Sequence, residues 1–172
     1  MENLRHTRLT ESSIAQPHLP LEIHLTTDEE ARTLTIADHG IGLTRSELVE
    51  NLGTIAHSGS KAFVEALKIA GKDAGGTQLI GQFGVGFYSA FMVAHKVDVH
   101  TRSWQADGED LVWSSDGATG YDIAASENEA RGARLVLHLN EADAEFAKAS
   151  RIKQVLTKYS NFVAFPIHLN GE

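Results

Sequence analysis

The sequence predicts an α+β sandwich, and three observations carry that expectation. Strand-like and helix-like stretches are segregated along the chain rather than strictly alternating, which disfavours a doubly wound parallel sheet. Apolar/polar alternation supplies strands, and two stretches with apolar residues at i, i+3, i+4 and i+7 supply helices to cover them. The chain has 172 residues, 42% of them hydrophobic, so a single domain can form a sizeable core without disulfides or a metal.

Residues 21–27 alternate Leu21, Ile23 and Leu25 with polar neighbours, and residues 33–38 do the same with Leu34 and Ile36. The polar residues between them predict a β-hairpin with one buried face. Thr44 followed by Glu47 is a capping-box pattern, opening a short helix that turns Leu48, Val49 and Leu52 inward and stops at Gly53. A second helix is expected over about 61–70, carrying Phe63, Ala66, Leu67 and Ala70 on one side. Residues 71–77 (GKDAGGT) predict a mobile loop, followed by IGQFGVGF and a helix to about Val93. Strands are then expected over 96–102, 111–114, around 121–124, and over 133–139. A helix over about 150–159 turns Ile152, Val155, Leu156 and Tyr159 inward, and a last strand covers 163–169.

Glycine is unevenly spread: ten of the 15 glycines fall between Gly40 and Gly86. Three features in that window suit one small-molecule pocket. Asp38 ends a strand and is followed by Gly40 and Gly42, so backbone can approach a flat ligand beside a carboxylate. Asn51 lies on the short helix, opposite the Leu48/Leu52 stripe. Gly81, Gly84 and Gly86 precede a helix, and backbone N–H groups at a helix N-terminus suit phosphate. Together they suggest a nucleotide. Each feature also has a plain structural reading: an Asp-x-Gly is usually only a turn, and glycines before a helix often serve close packing. There is no P-loop, and GQFGVG does not have the Rossmann glycine spacing.

Composition removes other classes of function. The formal charge of −8 disfavours a general nucleic-acid binder, which needs Lys and Arg against phosphate. The absence of cysteine excludes thiol catalysis, thiolate zinc sites and iron–sulfur clusters. The nine histidines are scattered, with no HExxH and no i, i+4 pair, so no metal site is expected. Apolar runs are too short to span a bilayer and Met1 does not open a signal peptide, so any targeting segment is expected upstream.

Taken together, DHGIG at residues 38–42, NLGTIAHSGSKAF at 51–63 and IGQFGVGFYS at 80–89 resemble the nucleotide-binding domain of the heat-shock protein 90 chaperones. That family belongs to the wider GHKL group, with the ATPase subunit of DNA gyrase, the MutL mismatch-repair protein and sensor histidine kinases. The resemblance covers essentially the whole chain. It implies a two-layer α/β sandwich of the GHKL (Bergerat) type, with a mixed, mostly antiparallel sheet and helices on one face. It also implies a lid over about 54–80 and ATP or ADP as ligand. In the complete protein it implies Mg²⁺, homodimerisation and unfolded client proteins, with no nucleic acid and no membrane as partners. FMVA at 91–94 and KYSNFVAFPIHLNG at 158–171 look most like the mitochondrial branch, with a bacterial cytoplasmic member as the alternative.

By the same resemblance, Asp38 accepts a hydrogen bond from the adenine amine and Gly42 lies against the base. Asn51 sits near the sugar and α-phosphate, and His57 and Ser58 open the lid. Gly81, Gln82, Phe83, Gly84, Val85, Gly86 and Phe87 form the phosphate loop. Ala133 occupies a position where the family commonly has a threonine that assists adenine binding. The catalytic glutamate and Mg²⁺-holding asparagine of the family precede the segment matching residues 1–5, and the adjacent Glu2 and Asn3 cannot replace them. The expectation is a nucleotide-binding domain over 1–172, truncated at its N-terminal edge, that binds nucleotide weakly and hydrolyses little. The alternative is a non-enzymatic module that keeps the fold for dimerisation or partner binding.

Overall fold

The computed structural model describes Leu4, Thr7, residues 13–53, Phe87, and residues 89–127, 129–160 and 162–172. The predicted hairpin forms: β1 (Ile23–Asp28) pairs antiparallel with β2 (Thr33–Asp38), setting Leu25 against Ile36 and Ile23 against Asp38. Its turn is closed by the Asp28 carboxylate, which accepts the Ala31 N–H at 2.9 Å.

The capping box also forms. Thr44 N–H donates to Glu47 Oε2 at 2.7 Å and Glu47 N–H donates to Thr44 Oγ1 at 3.3 Å, starting α1 (Arg45–Glu47). Beyond α1 the chain winds into a π-helical turn, Leu48–Gly53, instead of continuing as α-helix. With i→i+5 bonding the apolar stripe narrows to Leu48 and Leu52, and Val49, expected inward from a 3.6-residue period, is 45% exposed. The turn ends where Gly53 meets the Tyr121 ring; a Cβ there would lie within 3.0 Å of it.

A single helical turn, α2 (Ala90–Val93), leads into β3 (Ala94–Arg102). β4 (Asp110–Ser115), β5 (Tyr121–Ala125) and β6 (Gly132–Leu139) follow. A 3₁₀ segment, Glu141–Ala147, then precedes α3 (Ala149–Tyr159) and β7 (Ile167–Leu169). Among the described residues the seven strands are ordered β5-β4-β3-β6-β2-β1-β7. Every pairing is antiparallel except β1 with β7, giving the mixed, mostly antiparallel sheet that was expected.

Period-two alternation divides the sheet into two unlike faces. The inner face carries Leu25, Leu34, Val97, Val99, Leu111, Trp113, Leu137 and Leu139, which join Leu48, Leu52, Ala90, Ala147 and Ile152 of the described helical elements in one core. Two expectations at the C-terminal end need correction. Tyr159 is 67% exposed rather than inward, because α3 buries only the Ile152 end of its stripe deeply. The last strand is confined to three residues, since Val163 N–H turns back to the Ser160 carbonyl at 3.1 Å and Pro166 lacks a ladder donor. The helix expected over 61–70 and the loop over 71–77 lie outside the described residues.

The outer face is polar and organised around carboxylates. Asp98 accepts from Ser114 Oγ at 2.6 Å and meets His138 Nε2 at 2.7 Å and Lys96 Nζ at 3.2 Å. Glu129 accepts from Ser126 Oγ at 2.6 Å and pairs with His100 at 2.9 Å and Arg134 at 3.1 Å. Burial by itself would raise both acids; the surrounding donors outweigh it and hold both below their ordinary values.

Candidate functional site

Asp38 is the last residue of β2, and the ladder fixes its neighbours. It is the register partner of Ala133 on β6, and Ala133 is in turn the partner of Thr101 on β3. Alternation puts Asp38 on the same face as Leu34 and Ile36. The carboxylate is half-buried, and its Oδ1 accepts the Gly40 N–H at 2.6 Å in a tight Asx turn. Among the described residues Oδ2 accepts no hydrogen bond, so one acceptor remains beside a held one.

The loop after Asp38 is pinned by backbone contacts that need glycine. Gly42 has φ +64, and a Cβ there would collide with the Arg102 carbonyl oxygen at the end of β3. Gly132 has φ +120, and a Cβ there would collide with the Asp38 carbonyl oxygen. Gly42 was assigned to ligand approach from the sequence; the structure adds an internal requirement at the same position. Thr101, fully buried, completes the joint: its hydroxyl donates to the Gly132 carbonyl at 2.7 Å and accepts the Leu43 N–H at 2.9 Å.

Arg131 was not singled out in the sequence, yet it is fully buried and holds this loop. Its guanidinium donates to the carbonyls of His39 and Gly40, the latter at 2.9 Å, and through Nε to Ala15 at 2.9 Å. Its own N–H donates to Gln16 Oε1 at 2.6 Å. The only sequence signal was its place immediately before the Gly132–Ala133 pair.

Other expected site residues fall as follows. Ala133 is the register partner of Asp38 and so lies beside it. Asn51 is exposed on the π-helical turn, between buried Leu48 and buried Leu52 in sequence. The Phe87 ring packs edge-on against Phe91 and Trp113, with centroids 5.9 and 5.6 Å away, so its side chain serves the core. His57, Ser58 and residues 81–86 lie outside the described residues.

The sequence matches, over residues 10–154, the family described as histidine kinase-, DNA gyrase B-, and HSP90-like ATPase. The chain belongs to this ATPase family. It is similar to a chaperone protein HtpG of Desulfitobacterium hafniense, 49% identical over 99% of this chain and 28% of that protein. It is 50% identical to the mitochondrial heat shock protein 75 kDa of Rattus norvegicus, over 99% of this chain and 24% of that protein. A Dictyostelium discoideum protein named TNF receptor-associated protein 1 homolog, mitochondrial, is 44% identical over 99% of this chain and 24% of its own length. The chain thus spans about a quarter of the length of the curated relatives it matches. Membership in the family agrees with the α+β sandwich and its mixed sheet.

The family implies nucleotide and Mg²⁺, and the described residues suit the two differently. An acceptor carboxylate in a braced loop suits an adenine amine. For Mg²⁺, which prefers oxygen ligands, no comparable set exists among the described residues. Among the described residues, the one group of three such side chains close enough to share an ion is Glu22, His24 and His39, two of them imidazoles.

Proposed function

We propose that this chain forms the adenine-nucleotide-binding portion of an ATP-dependent molecular chaperone. The observation that carries the reading is Asp38: a half-buried carboxylate with one oxygen fixed by Gly40 and the other without a hydrogen bond among the described residues. A buried acceptor of this kind selects ligands that present an N–H, because an analogue without one leaves the acceptor unpaired. In this reading Asp38 receives the adenine exocyclic amine and Gly42 flanks the base. Asn51 lies toward the sugar and α-phosphate. His57 and Ser58 begin a lid over about 54–80, and the backbone of Gly81, Gln82, Phe83, Gly84, Val85, Gly86 and Phe87 holds the phosphates.

Hydrolysis of ATP is attack of water on the γ-phosphate, helped by a carboxylate that orients the water and by cations that neutralise phosphate charge. No residue of this chain is assigned either role, so binding is the property to test. The names of the relatives, a chaperone protein and a heat shock protein, support a chaperone role for the complete molecule, and unfolded clients and homodimerisation belong to the same reading. A mitochondrial location rests on residues 91–94 and 158–171. A bacterial cytoplasmic member is the alternative, supported by identities of 49% to the Desulfitobacterium hafniense HtpG and 50% to the rat mitochondrial protein.

Titration calorimetry with ADP tests the reading. Saturable binding is expected, weakened at least tenfold by Asp38→Asn, which turns an acceptor pair into one acceptor and one donor. If neither protein binds ADP saturably, the non-enzymatic module is the better account.

A further inference from the structure

We propose that the outer face of the sheet carries a binding site for a divalent transition metal of the Zn²⁺ class, formed by Glu22, His24 and His39. One candidate ligand atom from each of these three side chains lies within 4.8 Å of the others. The strand geometry explains why they converge. Glu22 immediately precedes β1 and His24 is the second residue of that strand, and a contact of 2.7 Å between Glu22 Oε1 and His24 Nε2 puts the two side chains together. The β1–β2 ladder ends with Ile23 opposite Asp38, which brings Glu22 opposite His39 one step further on. His39 directly follows β2, and its ring centroid lies 5.6 Å from that of His24.

Neighbouring groups orient the imidazoles. His24 Nε2 lies 2.7 Å from Glu22 Oε1. His168, the parallel register partner of His24 on β7, stacks on it with centroids 5.0 Å apart and places its Nε2 3.4 Å from Glu22 Oε2. His39 Nδ1 lies 3.2 Å from the Pro20 carbonyl. An imidazole that donates to this carbonyl from Nδ1 in its neutral tautomer carries its lone pair on Nε2, which has no hydrogen bond among the described residues. A ligand histidine whose other nitrogen donates to a backbone carbonyl is the usual arrangement around zinc.

Two imidazoles and one carboxylate favour Zn²⁺, Ni²⁺ or Cu²⁺ over Mg²⁺ or Ca²⁺, which prefer oxygen. All three ligands border a cavity of about 440 Å³ that also reaches His100, Glu129 and Arg134. A bound ion therefore keeps a coordination position toward solvent, as three-ligand zinc sites do.

The test is calorimetric titration of the whole chain with Zn²⁺ alone, in a non-chelating buffer. One saturable equivalent is expected, weakened at least about tenfold in His24→Ala and in His39→Ala. His95→Ala, at the opposite end of β3, should bind as the parent does. Parent protein that takes up no Zn²⁺, or His24 and His39 variants that bind as tightly as the parent, would overturn the proposal. Co²⁺ absorption of the unmodified chain needs no variant: visible bands of a four- or five-coordinate ion are expected, and the weak spectrum of the octahedral aquo ion would refute the site. ADP binding should survive His24→Ala, which lies outside the Asp38 turn, so failure here and failure of the nucleotide reading remain distinguishable.

Discussion

At the residue scale, the adenine reading turns on one cross-strand pair. Ala133 faces Asp38 across the β2–β6 ladder and Thr101 across the β6–β3 ladder, so a hydroxyl at 133 would stand beside the carboxylate. Threonine is well suited to a strand, and the position is half-buried, so Ala133→Thr should fold. Its added hydrogen bond is worth about 0.5–1.5 kcal/mol, or roughly two- to tenfold in affinity. ADP titration of Ala133→Thr should show that gain; unchanged or weaker binding would mean the hydroxyl does not take part in adenine recognition here. Asp38 and Gly42 were legible in the sequence because a strand ending in Asp-x-Gly has few conformations. The Glu22, His24 and His39 group was not, because its members alternate on a strand and meet across a ladder, whereas the spacing searched for was the helical i, i+4.

At the scale of elements, the outer face of β3, β4 and β6 makes a prediction about acid. Asp98 and Glu129 each bind a hydroxyl, a histidine and a basic side chain, and both are held below their ordinary values of 3.8 and 4.5 despite burial. In the β4–β5 turn Asp116, held by N–H groups of Thr119 and Ala118, is lowered to about 2. A carboxyl that titrates lower in the folded state contributes stability above its unfolded value and loses it as pH falls toward the folded one. Thermal unfolding followed by circular dichroism should therefore show the midpoint falling as pH drops below about 4.5. Asp98→Asn should flatten part of that slope, and a midpoint that rises on acidification would contradict the network. The elements themselves were largely legible, since hairpin, capping box and strand alternation depend on neighbours in sequence. The π-helical turn and the shortened β7 were not, because the contact of Gly53 with Tyr121 and the turn at Ser160–Val163 depend on tertiary packing and on Pro166.

For the whole molecule, Arg131 links parts of the chain that local reading treats separately. It ties residues 15–19 and the loop after Asp38 to the start of β6, across sequence separations of up to 116 residues. In sequence it looks like any basic residue before a glycine; only the structure reveals that its guanidinium is buried and donates to several backbone carbonyls. Arg131→Met keeps an apolar stem of similar length but removes the guanidinium donors to the carbonyls of Ala15, His39 and Gly40, at a cost of about 3 kcal/mol or more. Urea unfolding of the variant should register that loss as a lower midpoint. Because the same carbonyls at His39 and Gly40 brace the Asp38 turn, ADP affinity measured well below the new midpoint should fall as well. A variant within about 1 kcal/mol of the parent would show that the clamp is not what holds the loop. If stability falls while affinity is retained, Arg131 serves the fold alone, and the Asx turn at Gly40 with the Gly42 and Gly132 contacts suffices to position Asp38.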